Sequence, residues 1–135
     1  EAEKYIKKYL QIVPSSSKGL LLLGKIYEES GKIELSEKTY KKIQGEGINS
    51  AKAYNNLGIL FIKQKKYEEA RNAFNASINF YPKISDAHYN LGKLILDSKG
   101  DPNLARRHLE YALAYNRNPY LKQKIDQLLE EILSP

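Results

Sequence analysis

Leucine followed by glycine occurs at Leu23-Gly24, Leu57-Gly58 and Leu91-Gly92, and both steps between these pairs are 34 residues. A large apolar residue follows each pair at the same offset: Tyr27, Phe61 and Ile95. Recurrence at one fixed phase restricts the chain to an array of like units, each too small to bury its own apolar face without a neighbour. Ala51 to Pro82 shows the unit most fully. Tyr54, Leu57, Gly58 and Phe61, then Ala70, Phe74, Ser77 and Ile78, fall at helical spacing on either side of a polar break, which is the pattern of a helical hairpin. A glycine inside a helix costs about 1 kcal/mol relative to alanine, so three in one column require a gain from close helix approach. The sequence sets them opposite Ser36, Ala70 and Ala105, with Tyr27, Phe61, Tyr40 and Phe74 filling the wider gaps.

The same phase divides the chain. Residues 1–14 place Ala2, Ile6, Tyr9, Leu10 and Val13 on one helical stripe before Pro14. Ile6 is one period before Tyr40, so this stretch reads as the second helix of a truncated repeat. The first repeat, 17–50, has hydroxyl caps at Ser15 to Ser17, a left-handed terminator at Gly31, a second helix from Lys32 to about Gln44, and a loop from Gly45 to Asn49. The second, 51–84, is capped by Ser50 and closed by Pro82, and has Lys65 where the first has Gly31, which predicts a looser or strained turn. The third, 85–119, carries a one-residue insertion, since Ala105 and Leu109 lie 35 residues after Ala70 and Phe74. Its turn reads as Gly100 ending one helix, Asp101 capping the next and Pro102 in the first turn. Residues 120–135 form a capping helix with Leu121, Ile125, Leu128, Leu129 and Ile132 on one face and no glycine in the packing column.

No apolar run approaches the length of a membrane span, the longest being Leu20 to Leu23. The absence of cysteine removes disulfides and thiolate metal sites without pointing to a redox compartment. Glu1 in place of an initiating methionine suggests a piece of a longer protein, so location stays open, with a soluble, cytoplasmic domain as the default expectation. The net charge of +6 is compatible with an acidic partner.

The columns resemble the tetratricopeptide repeat family, whose 34-residue helix-turn-helix carries an aromatic, Leu-Gly, an aromatic, then alanine, an aromatic, a small residue and a closing proline. In the second repeat these fall on Tyr54, Leu57-Gly58, Phe61, Ala70, Phe74, Ser77 and Pro82. The first repeat departs by lacking the proline, and the third has His88 and Leu109 at aromatic positions. The resemblance implies an all-α, right-handed superhelix of helical hairpins. It also implies a non-enzymatic scaffold that binds an extended peptide or partner helix on the concave face lined by the leading helices. The groove candidates are Leu22 and Lys25 from the first repeat, Lys52, Asn55, Asn56, Ile59, Ile62 and Lys63 from the second, and Tyr89, Asn90 and Lys93 from the third. Asn56 and Asn90 are one period apart and match an asparagine frequent in the family, whose amide both donates to and accepts from a peptide backbone. The carboxylate clamp of chaperone-binding members is not matched: its columns hold Leu21, Asp86 and Asn90.

Other chemistry finds little footing. His88 shares a column with Leu20 and Tyr54 and reads as a packing residue; His108, beside Arg106 and Arg107, reads as an outer surface residue. Two histidines without a carboxylate cluster predict no metal site, and neither a nucleophile elbow nor a phosphate-binding glycine loop is present. No cofactor or small-molecule substrate is expected. Asn75-Ala76-Ser77 fits the glycosylation pattern but falls inside a helix, with Ser77 on the packed face. Two alternatives remain: nucleic-acid binding through a basic surface including Arg106, Arg107 and Arg117, and self-association through Tyr5, Ile6, Tyr9 and Ile12 on the first helix.

Overall fold

A computed structural model describes residues 1–45 and 47–134. Glu46, in the expected loop, and Pro135, the last residue of the expected capping segment, lie outside the described residues. The elements run α1 (Ala2–Ile12), α2 (Ser17–Glu29), α3 (Ile33–Lys41), α4 (Ile48–Lys63), α5 (Tyr67–Phe80), α6 (Ser85–Asp97), α7 (Pro102–Tyr115) and α8 (Pro119–Leu133). Helices pair as α2 with α3, α4 with α5 and α6 with α7, and each second helix also packs on the following leading helix. Leading helices touch one another in turn, α2 to α4 to α6 to α8. Successive second helices make no such contact among the described residues. An array close-packed along its leading helices and spread along its second helices is concave on the leading side.

The turns follow one scheme. The second residue after each of α2, α4 and α6 is left-handed, at Gly31 (φ 77°), Lys65 (φ 61°) and Lys99 (φ 57°). The next amide donates back across the helix end, from Lys32 to Tyr27, Lys66 to Phe61 and Gly100 to Ile95, each at 2.8 Å. Of the looser or strained turn expected, the structure has the strained one: Lys65 turns as tightly as Gly31, with a side chain at positive φ. In the third turn the left-handed role belongs to Lys99, not Gly100; a Cβ on Gly100 would lie 3.0 Å from Ile95 Cγ2. The inserted residue enters after Gly100 and supplies a cap, for the Asp101 carboxylate accepts from the Asn103 amide at 2.9 Å. The Ser16 hydroxyl likewise accepts from the Gly19 amide, and Asn118 from Tyr120.

Two boundaries differ from the sequence reading. Helix α3 stops at Lys41, short of Gln44, and α4 begins at Ile48, so Ser50 lies in its first turn. Ser50 is not a cap: its hydroxyl donates to the Gly45 carbonyl at 2.7 Å and ties the loop to the helix.

The packing glycines work as close-approach sites; Ser36 and Ala105 stand against Gly24 and Gly92 as expected, and a large side chain of the second helix comes closer still. A Cβ on Gly24 or Gly58 would fall inside the van der Waals surface of the Tyr40 or Phe74 ring, so the aromatic of the second helix occupies the space that the glycine leaves. At Gly92 the partner is Leu109, 2.9 Å from such a Cβ. The small residues sit beside these contacts, fully buried: Ser36 donates to the Gly24 carbonyl at 2.7 Å, and Ser77 donates to Ala51 at 2.6 Å, bonding α5 to the start of α4. Phe74, Ala70, Leu91, Leu94, Ile95 and Ala105 form one core cluster; Leu109, Ala112 and Ile125 form another under α8.

Candidate functional site: the concave groove

The leading helices enclose an open groove of about 640 Å³ near their N-terminal ends, between α2, α4 and α6. Five expected residues line it: Leu22, Lys25, Lys52, Asn55 and Asn56. Lys18, Ile48, Lys83 and Ile84 line it too. Ile48, Lys83 and Ile84 were missed because the sequence reading counted positions on leading helices only, while the loop before α6 and the extra first turn of α4 also reach the groove. A second recess of about 350 Å³ lies nearer the C-terminal ends and takes in Ile62, Asn90 and Lys93 with Tyr67, Leu94 and Asp97.

Three expected contacts are placed elsewhere. Ile59 is half-buried against the cluster containing Leu91 and Leu94, between α4 and α6. Tyr89 packs against the cluster under α8, which takes the place of a further leading helix, and burial raises its phenol pKa. Lys63 reaches back to α2, where its ammonium donates to Glu28 at 3.0 Å.

Polar groups already bonded within the protein set what the groove has to offer. Glu28 is only 7% exposed, and its carboxylate accepts from the Tyr40 hydroxyl at 3.2 Å as well as from Lys63, with Lys25 at 3.8 Å. Burial, then the Glu28 charge, pushes the Tyr40 phenol far above its ordinary value. Asn55, expected to project into the groove, is 6% exposed, and its carbonyl accepts from the Asn90 amide at 2.9 Å. That bond joins neighbouring leading helices, so Asn90 is partly committed and Asn56 is the half-buried amide left facing the groove. Lys93 pairs with Asp97 at 2.9 Å, a hydrogen bond that raises the lysine's pKa. Lys18, Lys52 and Lys83 are exposed and make no ion pair among the described residues.

The outer side carries a third recess. Between α3 and α5, over α4, a cleft of about 480 Å³ is lined by Ile43, Ala53, Tyr54, Leu57, Phe61 and Ala73 and edged by Lys41, Glu69 and Asn72. One repeat on, the columns of Tyr54 and Ala73 hold His88 and His108. His88 is buried as expected, but His108 is not the surface residue expected: the two Nδ1 atoms lie 3.1 Å apart and His88 Nε2 is 2.8 Å from the Pro82 carbonyl. A carbonyl only accepts, so His88 carries its proton on Nε2 and His108 donates from Nδ1. Burial lowers both pKa values, and Arg107 adds to the effect on His108.

On α1 no residue is fully buried: Tyr5 is 68% and Ile12 81% exposed, Tyr9 is partly covered, and Ile6 is half-buried. Among the described residues no group of three His, Asp or Glu side chains is placed to hold a metal, and no helix is long and apolar enough to cross a membrane. Arg106, offered for nucleic acid, lies 4.0 Å from Glu110.

Comparison with known proteins agrees with this architecture. Tetratricopeptide repeat models match residues 17–45 and 51–84. This chain is a member of the tetratricopeptide repeat family. It is 32% identical over 120 residues to the type IV pilus assembly protein PilF of Pseudomonas aeruginosa, covering 87% of this chain and 47% of the relative. The chain thus spans about half the length of that curated relative. The solved structure of Pseudomonas aeruginosa PilF superposes with a TM-score of 0.77 at 27% identity, covering 95% of this chain and 57% of that one. The crystal structure of MamA superposes with a TM-score of 0.67 at 22% identity, covering 97% and 84%, and shares the fold.

Proposed function

We propose that the concave groove between α2, α4 and α6 is where this scaffold holds its partner, as an extended peptide or a helix laid across the leading helices. The observation that carries the reading is the convergence there of apolar seats, Leu22, Ile48 and Ile84, with the half-buried Asn56 amide. Apolar anchors supply most binding energy, and a side-chain amide fixes the register of a peptide backbone. The division into three repeats (17–50, 51–84 and 85–119), a preceding half repeat and a capping helix (120–135), wound as a right-handed superhelix, is part of the same proposal, supported by the alternating contacts of leading and second helices.

Site-specific photocrosslinking tests it. A benzoylphenylalanine placed at Asn56 is expected to capture partner protein from native extract, and one placed at Tyr111 on the outer side to capture none. Equal capture from both sides would remove the groove. Because PilF is a pilus assembly protein, we extend the proposal to a scaffold of an assembly process. Co-fractionation of the full-length protein with a complex larger than itself is expected, and recovery only as free protein would remove that extension. A second reading, self-association through Tyr5, Tyr9 and Ile12, is favoured by their exposure. It predicts a sedimentation coefficient that rises with concentration and stops rising when residues 1–14 are deleted.

A further inference from the structure

The lysines of the concave face fall into two groups. Lys63 leans on Glu28, and Lys93 on Asp97, so the lysines of the half of the face toward the C-terminal ends of α4 and α6 are neutralised within the protein. In the half toward the N-terminal ends, Lys18, Lys52 and Lys83 surround one groove, beside Lys25, which leans on Glu28; among the described residues the one carboxylate lining it is Asp86, which makes no ion pair there. Between them lie the apolar side chains of Leu22, Ile48 and Ile84. An unpaired basic rim around an apolar floor complements a segment that carries carboxylates on either side of an apolar residue.

We infer that the groove selects an acidic peptide, seating its apolar residue on Leu22, Ile48 and Ile84 and its carboxylates on Lys18, Lys52 and Lys83. This rests on the groove reading above and adds chemistry and orientation to it: the acidic stretch lies at the N-terminal edge of the leading helices, and the partner runs on past Asn56 toward the neutralised half. Lys83 contributes from a loop, which lets its ammonium follow the peptide without disturbing a helix.

The probe is a fluorescein-labelled peptide of alternating glutamate and leucine, read by anisotropy beside a glutamine–leucine peptide of equal length. The wild-type chain is expected to bind the glutamate peptide more tightly. A Lys18→Glu/Lys52→Glu/Lys83→Glu variant is expected to bind it about tenfold or more weakly. A Lys4→Glu/Lys38→Glu/Lys124→Glu variant, with the same change of net charge away from the groove, is expected to stay within about twofold. Equal losses in the two variants would reduce the effect to overall charge and overturn the inference. Equal binding of the two peptides, with loss on Leu22→Asp, would overturn the acidic preference and leave the groove reading standing; indifference to Leu22→Asp as well would sink both. Displacement of the peptide by oligouridylate at matched charge would overturn a peptide ligand in favour of nucleic acid. Circular dichroism of each variant at the wild-type helical signal keeps these losses attributable to binding.

Discussion

Two of the outer junctions of the array, α3 with α5 and α5 with α7, are built on one plan and finished differently. Between α5 and α7, His88 is enclosed by His108, by Tyr111 with ring centroids 5.3 Å apart and by Tyr115 at 6.3 Å. Between α3 and α5 the matching columns hold Tyr54, Ala73, Ala76 and Phe80. Tyr54 there stacks on Phe80 at 5.3 Å and 11°, and the place filled by His108 one repeat later is left as a cleft. The helical frame is set by the glycine and aromatic columns, which the junctions share. Whether a junction is closed or open depends on what the second helix adds against the Tyr54 and His88 column: His108, Tyr111 and Tyr115 at one, Ala73, Ala76 and Phe80 at the other.

Five variants test this contrast, beginning with the frame itself. Phe74→Ala removes a fully buried ring lying on Gly58 and should cost about 3 to 5 kcal/mol in urea unfolding; a loss below about 1 kcal/mol would mean the frame does not rest on that contact. His88→Ala opens the closed junction and leaves the Pro82 carbonyl unpaired, with an expected loss of about 2 to 3 kcal/mol. Tyr54→Ala at the open junction should cost about 1 kcal/mol, since that ring is partly exposed. Equal losses would erase the distinction.

Acid should weaken the closed junction alone. Both imidazoles have pKa values below the ordinary 6.5 in the folded chain, so the unfolded chain takes up protons first as pH falls. Stability is then full above about 6.5 and declines as pH drops from there through the lowered values. One proton can enter at His108 Nε2 against burial and the nearby Arg107; a second, on His88 Nδ1, sets two N–H groups against each other. Among the described residues no carboxylate is bonded to either ring; the remaining titratable neighbours of His88 are Tyr111 and Tyr115. Urea midpoints at pH 7.5 and 5.5 should separate for the wild-type chain and come closer together for His88→Phe. An unchanged separation in the variant would place the acid sensitivity elsewhere. The smallest effect is expected from Ala73→Leu, which extends apolar surface into the open cleft and should raise stability by about 1 kcal/mol. A loss would show that the cleft has no room at its floor.

The contrast also marks how far the sequence could be read. Columns 34 residues apart place Leu57, Gly58, Ala70 and Phe74, because burial at a helical period leaves its trace in residue type. The partner of a polar side chain leaves no such trace. Asn55 and Asn56 are neighbours in sequence and both polar, yet one is buried and bonded to Asn90 and the other faces the groove. Periodicity alone, blurred by half a helical step, does not separate them. His108 shares its column with Thr39 and Ala73, both buried, so its inward position had a trace in the sequence, which Arg106 and Arg107 beside it obscured; its pairing with His88 had none. The early end of α3 and the cover of α8 over Tyr89 likewise depend on packing between units.

Glu28 has a consequence for how the array comes apart. Its carboxylate is held by Tyr40 within its own hairpin and by Lys63 from the next leading helix. Pulling the first hairpin off the second strands a buried charge on one side and frees a lysine on the other, a change that water relieves only once the interface is fully open. Partial separation is therefore the least favoured state at this boundary. Fraying from the N-terminal end should pass through α1 easily and then stop, with amides of α2 and α3 exchanging in step with those of α4 and α5.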